Sequence, residues 1–129
     1  MSIKGIKTVF LIAALYDIIL GIVFGLFFKL VYTSFGAELP NHVGYIQLAA
    51  AYILVFGIGF YLVYKDPVRN QAIITLGILM KLVFVVIVLG HLLIDTIPPF
   101  YIPFALLDIV FLLLFLYTQT ALRKLVTPK

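Results

Sequence analysis

The chain has 129 residues, of which 65% are hydrophobic and 11% are charged, and its mean hydropathy is +1.27. Soluble domains carry about 25% charged residues, so this composition excludes a soluble globular protein and predicts one integral membrane domain over residues 1–129. The absence of cysteine excludes thiolate nucleophiles, disulfide exchange and thiolate-held metal centres. The formal net charge of +4 does not indicate nucleic-acid binding, because the basic residues lie at the ends of apolar segments.

Four apolar segments are long enough to be membrane spans. A bilayer core of about 30 Å needs about 20 apolar residues in a helix. The predicted spans cover residues 8–30, 43–64, 69–94 and 101–121. The sequence therefore predicts an all-α integral membrane protein, built as an antiparallel bundle of four transmembrane helices.

The segments between the spans carry turn residues and are too short to hold a soluble domain. They read TSFGAELPNH (33–42), KDPVRN (65–70) and DTIPPFYIP (95–103). In the second of these, Asp66 is predicted to cap the N-terminus of the third span, because Pro67 suits the first helical position.

The distribution of basic residues predicts the orientation in the membrane. With four spans, Lys29 lies alone on one side and Lys81 lies within a span. The opposite side carries Lys4, Lys7, Lys65, Arg69, Arg123, Lys124 and Lys129. The excess of Lys and Arg on cytoplasmic loops then places both termini in the cytoplasm. We expect a multi-pass protein of a bacterial or archaeal cytoplasmic membrane, whose first partner is the lipid bilayer.

Three ionisable residues lie deep within the predicted spans. At about 1.5 Å per helical residue, Asp17 lies about 15 Å and Lys81 about 18 Å from the cytoplasmic face, and Asp108 lies about 12 Å from the outer face. In a core of about 30 Å, Asp108 is then also about 18 Å from the cytoplasmic face. An isolated charge at this depth costs about 2.5–3.5 kcal/mol. We therefore expect Lys81 to bridge Asp17 and Asp108, or to pair with one while the other is protonated.

The spacing of small, polar and aromatic residues predicts the inward face of three helices, and the first of these faces is a small-residue stripe that permits close helix packing. The faces are Ala13, Asp17, Gly21 and Gly25 in the first span; Gly77, Lys81, Val85 and Val88 in the third; and Phe104, Asp108, Leu112, Phe115 and Gln119 in the fourth.

The second span offers two candidate faces. One contains Gln47, Ala51 and Ile58, and the other contains Tyr52 and Gly59. We favour the Gln47 face, because a buried amide needs a partner. Gln47 is thereby predicted to join the three intramembrane charges in one polar cluster.

No motif for catalysis or cofactor binding is present. The sequence lacks a Walker loop, a dinucleotide-binding glycine pattern and a serine-hydrolase elbow. His91 with Asp95, and His42 with Glu38, are residue types that bind metals, but their spacing matches no recognised signature. We predict no metal and no cofactor, and the sequence favours a non-enzymatic role.

The end of the first span, LGIVFGLFFKL (20–30), resembles the first helix of DoxX-like membrane proteins. That helix reads roughly Leu-Gly, an aromatic residue, a Gly and then Lys-Leu. The resemblance implies a small four-helix membrane protein, and some members of the family are linked to sulfur-compound oxidation with quinone or to oxidative-stress complexes. Family members often carry an Arg near the start of this stretch, where this chain has Asp17, so no functional residue is carried over.

Three functions compete at this point. The first is a non-catalytic scaffold or accessory subunit of a membrane complex, with a protein partner or a second copy of the chain, in which the charge cluster joins helices. The second is a binder or carrier of a quinone or lipid, and the third is a proton-coupled transporter that uses the same charges. The hydrophobic cleft predicted for the second function is lined by Phe24, Phe84, Phe104, Phe111 and Phe115. We rank the scaffold first.

Overall fold

The computed structural model describes residues 1–127, and the regular structure of this part is all-helical. Its five helices are α1 (Ile3–Leu26), α2 (Phe28–Ser34), α3 (Gly44–Lys65), α4 (Gln71–Ile94) and α5 (Tyr101–Val126). Within the described residues, α1, α3, α4 and α5 are each long and apolar enough to cross a membrane. They correspond to the four predicted spans. Lys129, which the sequence assigns to the cytoplasmic side, lies outside the described residues.

The first predicted span, 8–30, is not one continuous helix. At Phe27 the backbone leaves helical geometry, with φ −112° and ψ 24°. A new helix, α2, begins at the next residue and buries Phe28 and Tyr32. The break therefore directs the side chains of Phe28 and Tyr32 toward the protein interior. Neither proline nor glycine occupies position 27, so the sequence carries no sign of the break.

The turn between α3 and α4 corrects the predicted start of the third span. α4 begins at Gln71 and its N-cap residue is Asn70, not Asp66. Asp66 instead caps the preceding turn, where its Oδ1 accepts hydrogen bonds from the backbone N–H groups of Val68 and Arg69, both at 3.1 Å. The capping chemistry predicted for Asp66 is present, but it stabilises a turn that ends before the helix starts.

The four long helices form two pairs. α1 packs most extensively against α3, and α4 packs against α5, whereas α3–α4 and α1–α5 contacts are sparse. The α1–α3 backbones nearly touch at two glycines. A Cβ atom at Gly21 would lie 2.9 Å from the Ala50 carbonyl oxygen, and a Cβ atom at Gly57 would lie 2.9 Å from the Ile18 nitrogen. Only glycine permits this approach at these two positions.

The predicted inward face of α4 is confirmed, and those of α1 and α5 are partly confirmed, since Gly25 of α1 is only half-buried. The buried members of the α1 and α4 faces are Ala13, Asp17 and Gly21, and Gly77, Lys81, Val85 and Val88. On α5, Asp108 and Phe115 are buried as predicted. The other predicted members, Phe104, Leu112 and Gln119, are half-buried.

Both predicted inward faces of α3 are wrong. Gln47, Ala51, Ile58 and Tyr52 are exposed, and Gly59 is half-buried. The face that is buried consists of Ile46, Ala50, Gly57, Phe60 and Val63. Its orientation follows from the close glycine contacts with α1. Periodicity does not reveal it, because lipid is as apolar as the bundle interior and both sides of the helix are hydrophobic.

Buried apolar side chains form two separate cores. The main core consists of Ile6, Phe10, Ala13, Ala14, Phe60, Val63, Ile74, Phe111, Phe115 and Leu122. The end core consists of Phe28, Tyr32, Ile46 and Phe100. Along α1, Asp17 lies between the residues of the main core and the chain segment that supplies the end core. Along the chain at α5, Asp108 likewise lies between Phe100 of the end core and Phe111 of the main core. The two aspartates therefore mark the boundary between the two cores.

The outer surface of the helices is strongly apolar. Leu93, Ile94 and Leu26 are 90%, 83% and 73% exposed, and they are three of many large hydrophobic side chains on this surface. Soluble monomers rarely expose continuous apolar surface on this scale. This surface is suited to contact with lipid chains or with other membrane helices.

Candidate functional site: a buried ion triad between two helix pairs

The predicted contact between Asp17, Lys81 and Asp108 is present, and we call these three residues the ion triad. Asp17 comes from the middle of α1, Lys81 from the middle of α4 and Asp108 from α5. Their exposed fractions are 0%, 1% and 5%. The triad is therefore an internal feature, and it connects the α1–α3 pair to the α4–α5 pair.

Lys81 binds its two carboxylates differently. Lys81 Nζ donates a hydrogen bond of 2.8 Å to Asp17 Oδ1. The same nitrogen lies 2.9 Å from Asp108 Oδ1, but this oxygen lies off the hydrogen-bonding direction and has no hydrogen-bond partner. The contact with Asp17 is thus a charge-assisted hydrogen bond, the stronger of the two kinds of interaction. The contact with Asp108 is an ion pair without a hydrogen bond.

Aromatic rings surround the ammonium group. Lys81 Nζ lies 5.3 Å from the ring centroid of Tyr16, 5.4 Å from that of Phe111 and 6.0 Å from that of Phe60. A desolvated cation at such a distance from a ring face gains about 2 kcal/mol. Tyr16 is on α1, Phe60 on α3 and Phe111 on α5, so all four long helices contribute to the environment of this one charge.

A glycine one turn before Lys81 brings the rings close to the α4 backbone. A Cβ atom at Gly77 would lie 2.5 Å from Cε1 of Phe60 and 3.2 Å from Cε2 of Phe115. Both rings belong to the main core, where their centroids are 5.0 Å apart. Gly77 therefore allows these rings to pack directly beneath the lysine.

Three buried polar atoms at the triad have no hydrogen-bond partner among the described residues. They are Asp17 Oδ2, Asp108 Oδ1 and the Tyr16 hydroxyl. A buried polar group without a partner costs about 1–3 kcal/mol. With all three groups of the triad ionised, one positive and two negative charges would leave a net charge of −1 in an apolar interior. The site thus has both an excess of acceptors and an excess of negative charge.

Gln47 does not join the triad, which corrects the predicted polar cluster. Its side chain is exposed near the N-terminal end of α3. There the amide nitrogen donates a hydrogen bond of 3.4 Å to the Gly25 carbonyl oxygen of α1. The amide finds a partner as expected, but the partner is a backbone group at the end of the helix pair.

The five phenylalanines predicted to line one cleft do not lie together. Phe111 and Phe115 lie in the main core. Phe24 and Phe104 pack against the end core, and Phe84 lies near Tyr101, with 6.5 Å between ring centroids. These five side chains therefore do not form a single cleft.

The paired histidines and carboxylates of the loops are also dispersed. His42 Nδ1 accepts a hydrogen bond of 3.0 Å from the Gly44 N–H, and Glu38, His91 and Asp95 are exposed. Within residues 1–127, no group of three or more His, Asp and Glu side chains is arranged to hold a metal ion.

Two features of the interior were not predicted from the sequence. Tyr16 belongs to the environment of the triad, and its position next to Asp17 in an apolar helix is the signal that would have identified it. The hydroxyls of Tyr32 and Tyr101 are 2.9 Å apart at the end core. They lie far apart in the sequence, and no local pattern indicates their contact.

Comparison with models of known protein families, with curated proteins and with solved structures finds no match for this chain. The class of protein follows from the chain itself. Four long apolar helices and a buried charge cluster at their centre indicate a small multi-pass integral membrane protein.

Proposed function

We propose that the protein is a non-catalytic membrane scaffold or accessory subunit, in which the ion triad holds two helix pairs together. The observation that carries this proposal is the burial of all three charges, which are at most 5% exposed. Groups that act on a substrate need access to it, whereas groups that join helices need only one another. Lys81 of α4 contacts Asp17 of α1, so this ion pair crosses between the two helix pairs, and its contact with Asp108 of α5 lies within its own pair.

The energetics of buried ion pairs support a joining role. Removing one member of a buried pair typically costs about 3–5 kcal/mol, because the other charge remains without compensation. The α3–α4 and α1–α5 contacts are sparse, so the triad supplies an attraction where backbone packing is weak. This arrangement fixes which helices meet, and it leaves the apolar outer surface free to contact a partner protein or a second copy of the chain.

The proposed topology is an antiparallel bundle with both termini in the cytoplasm of a bacterial or archaeal cell. Its support is the excess of Lys and Arg on one side of the predicted spans. Because the chain contains no cysteine, single-cysteine labelling tests it directly. A membrane-impermeant maleimide applied to intact cells should label Glu38→Cys and should not label Ser2→Cys until the cells are opened. The reverse pattern would contradict the orientation.

A relationship to the DoxX-like family remains a proposal, supported by the LGIVFGLFFKL stretch and by the four-helix layout. The quinone-linked chemistry of some family members is not extended to this chain. Of the phenylalanines predicted to line a ligand cleft, Phe111 and Phe115 lie in the main core, and Phe24 and Phe104 pack against the end core. Their separation does not support the carrier function, and we rank it below the scaffold.

Affinity purification at native expression in a mild detergent tests the scaffold role. We expect a membrane protein to co-purify in stoichiometric amount and native mass spectrometry to resolve the complex. Lys81→Met should reduce the recovered complex, and Lys65→Met, which removes an exposed lysine at the end of α3, should not. A chain that purifies alone with a retained quinone or lipid would contradict the proposal.

A further inference from the structure

We propose that the ion triad is a binding site for one proton, held by Asp108 while Asp17 and Lys81 form a charged pair. The inference concerns the charge state of the triad, and only its effect on the connection between the helix pairs rests on the proposed scaffold role. Its ligand is a proton delivered by water. Three observations carry it: the composition of the triad, the unequal contacts of Lys81 and the unpartnered polar atoms.

Charge balance gives the number of protons. Titratable groups face the site from three helices, with Asp17 and Tyr16 on α1, Lys81 on α4 and Asp108 on α5. α3 contributes the ring of Phe60. One ammonium balances one carboxylate, so the second carboxylate remains uncompensated unless it binds a proton. An uncompensated charge is strongly disfavoured in a medium of low dielectric constant.

The geometry indicates which carboxyl group carries the proton. Asp17 accepts the hydrogen bond from Lys81 at 2.8 Å, and a hydrogen bond to the charged form stabilises that form. Asp108 Oδ1 is 2.9 Å from the same nitrogen without accepting a hydrogen bond. Asp108 is therefore the less stabilised anion. Its side chain is 8% exposed, against 0% for Asp17, so it is also the carboxyl group closer to an exit for the proton.

The unpartnered atoms are consistent with a site that exchanges a proton. Asp17 Oδ2 and the Tyr16 hydroxyl are buried and lack hydrogen-bond partners among the described residues. Both oxygens can accept a hydrogen bond from the protonated Asp108. When the proton leaves, it passes to water and the Asp108 carboxyl becomes a carboxylate. The triad then has a net charge of −1, which weakens the connection between the helix pairs. Loading and unloading of one proton thus changes the force that holds the two pairs together.

Infrared spectroscopy of the purified protein in lipid nanodiscs tests the proton count directly, since neutral and ionised carboxyl groups absorb at different frequencies. At neutral pH the wild-type protein should show one neutral carboxyl band. Asp17→Asn and Asp108→Asn should each abolish this band, because the single remaining carboxylate then balances Lys81. Lys81→Met should roughly double it, because both carboxyl groups must then bind protons. Asp95→Asn, at an exposed loop position, should leave it unchanged.

The pattern across the variants decides whether the triad holds one proton. A wild-type spectrum without a neutral carboxyl band would overturn the proposal, as would a band that persists in both asparagine variants. If Lys81→Met does not fold, the two asparagine variants alone still decide, since both retain shape and lose one ionisable group.

A second measurement follows from proton linkage. The folded protein holds one proton that an exposed aspartate has already released at neutral pH, so unfolding releases it and stability must fall as the pH rises through this range. The wild-type melting temperature should therefore decrease with increasing pH, and Asp108→Asn should remove most of the slope. A slope that is the same in both proteins would contradict the proposal.

Discussion

The α1–α3 interface and the layer between the two helix pairs hold helices together by different means. At the α1–α3 interface, Gly21 and Gly57 bring backbones into contact, and within residues 1–127 no ion pair joins these two helices. Between the pairs, the backbones are further apart and the space is filled by rings and by the ion triad. The first interface depends on the absence of side chains, and the second depends on a balance of charge. Different substitutions should therefore destabilise the two interfaces.

The layer between the pairs should respond most strongly to loss of its cation. We expect Lys81→Met to lower the free energy of unfolding by about 3–5 kcal/mol, because two buried carboxyl groups lose their partner. Chemical unfolding in detergent micelles, followed by circular dichroism, measures the change. Lys65→Met, an exposed control, loses only a surface cation–π contact with Tyr61 and should change stability by less than about 1 kcal/mol.

A triple variant sharpens the same comparison. Lys81→Met combined with Asp17→Asn and Asp108→Asn removes all the charges together, and neutral replacement of a whole buried cluster is often tolerated. We expect the triple variant to be more stable than Lys81→Met alone. A triple variant that is less stable would show that the shape of the site matters more than its charge.

The α1–α3 interface should respond to the smallest added side chain. Gly21→Ala and Gly57→Ala each insert a methyl group about 2.9 Å from backbone atoms of the facing helix, and overpacking of this kind costs about 1–3 kcal/mol. Thermal melting at two pH values measures the effect, which should be the same at both because no charge is involved. Gly90→Ala, at a glycine with nothing within 4 Å, is the control and should be neutral or slightly stabilising.

The smallest effect is expected at a polar contact on the rim of the α4–α5 pair. Gln119 Nε2 donates a hydrogen bond of 2.7 Å to Thr75 Oγ1 at an exposed position. Hydrogen bonds between membrane helices average about 0.6 kcal/mol, so Thr75→Val should lower stability by about that amount in the same unfolding assay. A loss as large as that of Lys81→Met would mean that the rim and not the triad dominates this interface.

The sequence predicted the four long helices and the ion triad because both follow from strong physical constraints. Uninterrupted apolar length defines a span, and charges at one depth must find one another in an apolar medium. Lys81, Asp17 and Asp108 could thus be assigned to one contact from depth alone, without knowledge of the fold.

Features that depend on contact between distant residues could not be predicted. The inward face of α3 is set by Gly57 and Ala50 packing on α1, and a helix that is apolar on all sides gives no periodic signal of that contact. The same reason explains why Gln47 was assigned to the interior and why phenylalanines of two cores were grouped in one cleft. The break at Phe27 arises from burial of Phe28 and Tyr32, which depends on a core completed by Phe100 much later in the chain.

The order of the charges along the chain has a consequence for biosynthesis. Asp17 is translated long before Lys81, and Asp108 follows last. The glycine contacts that join α1 to α3 involve only residues that precede Lys81, so this pair has all its parts while the nascent chain still lacks its lysine. Asp17 is therefore synthesised before its counter-charge exists. α4 and α5 then supply Lys81 and Asp108 to a helix pair whose own contact residues are already present in the chain.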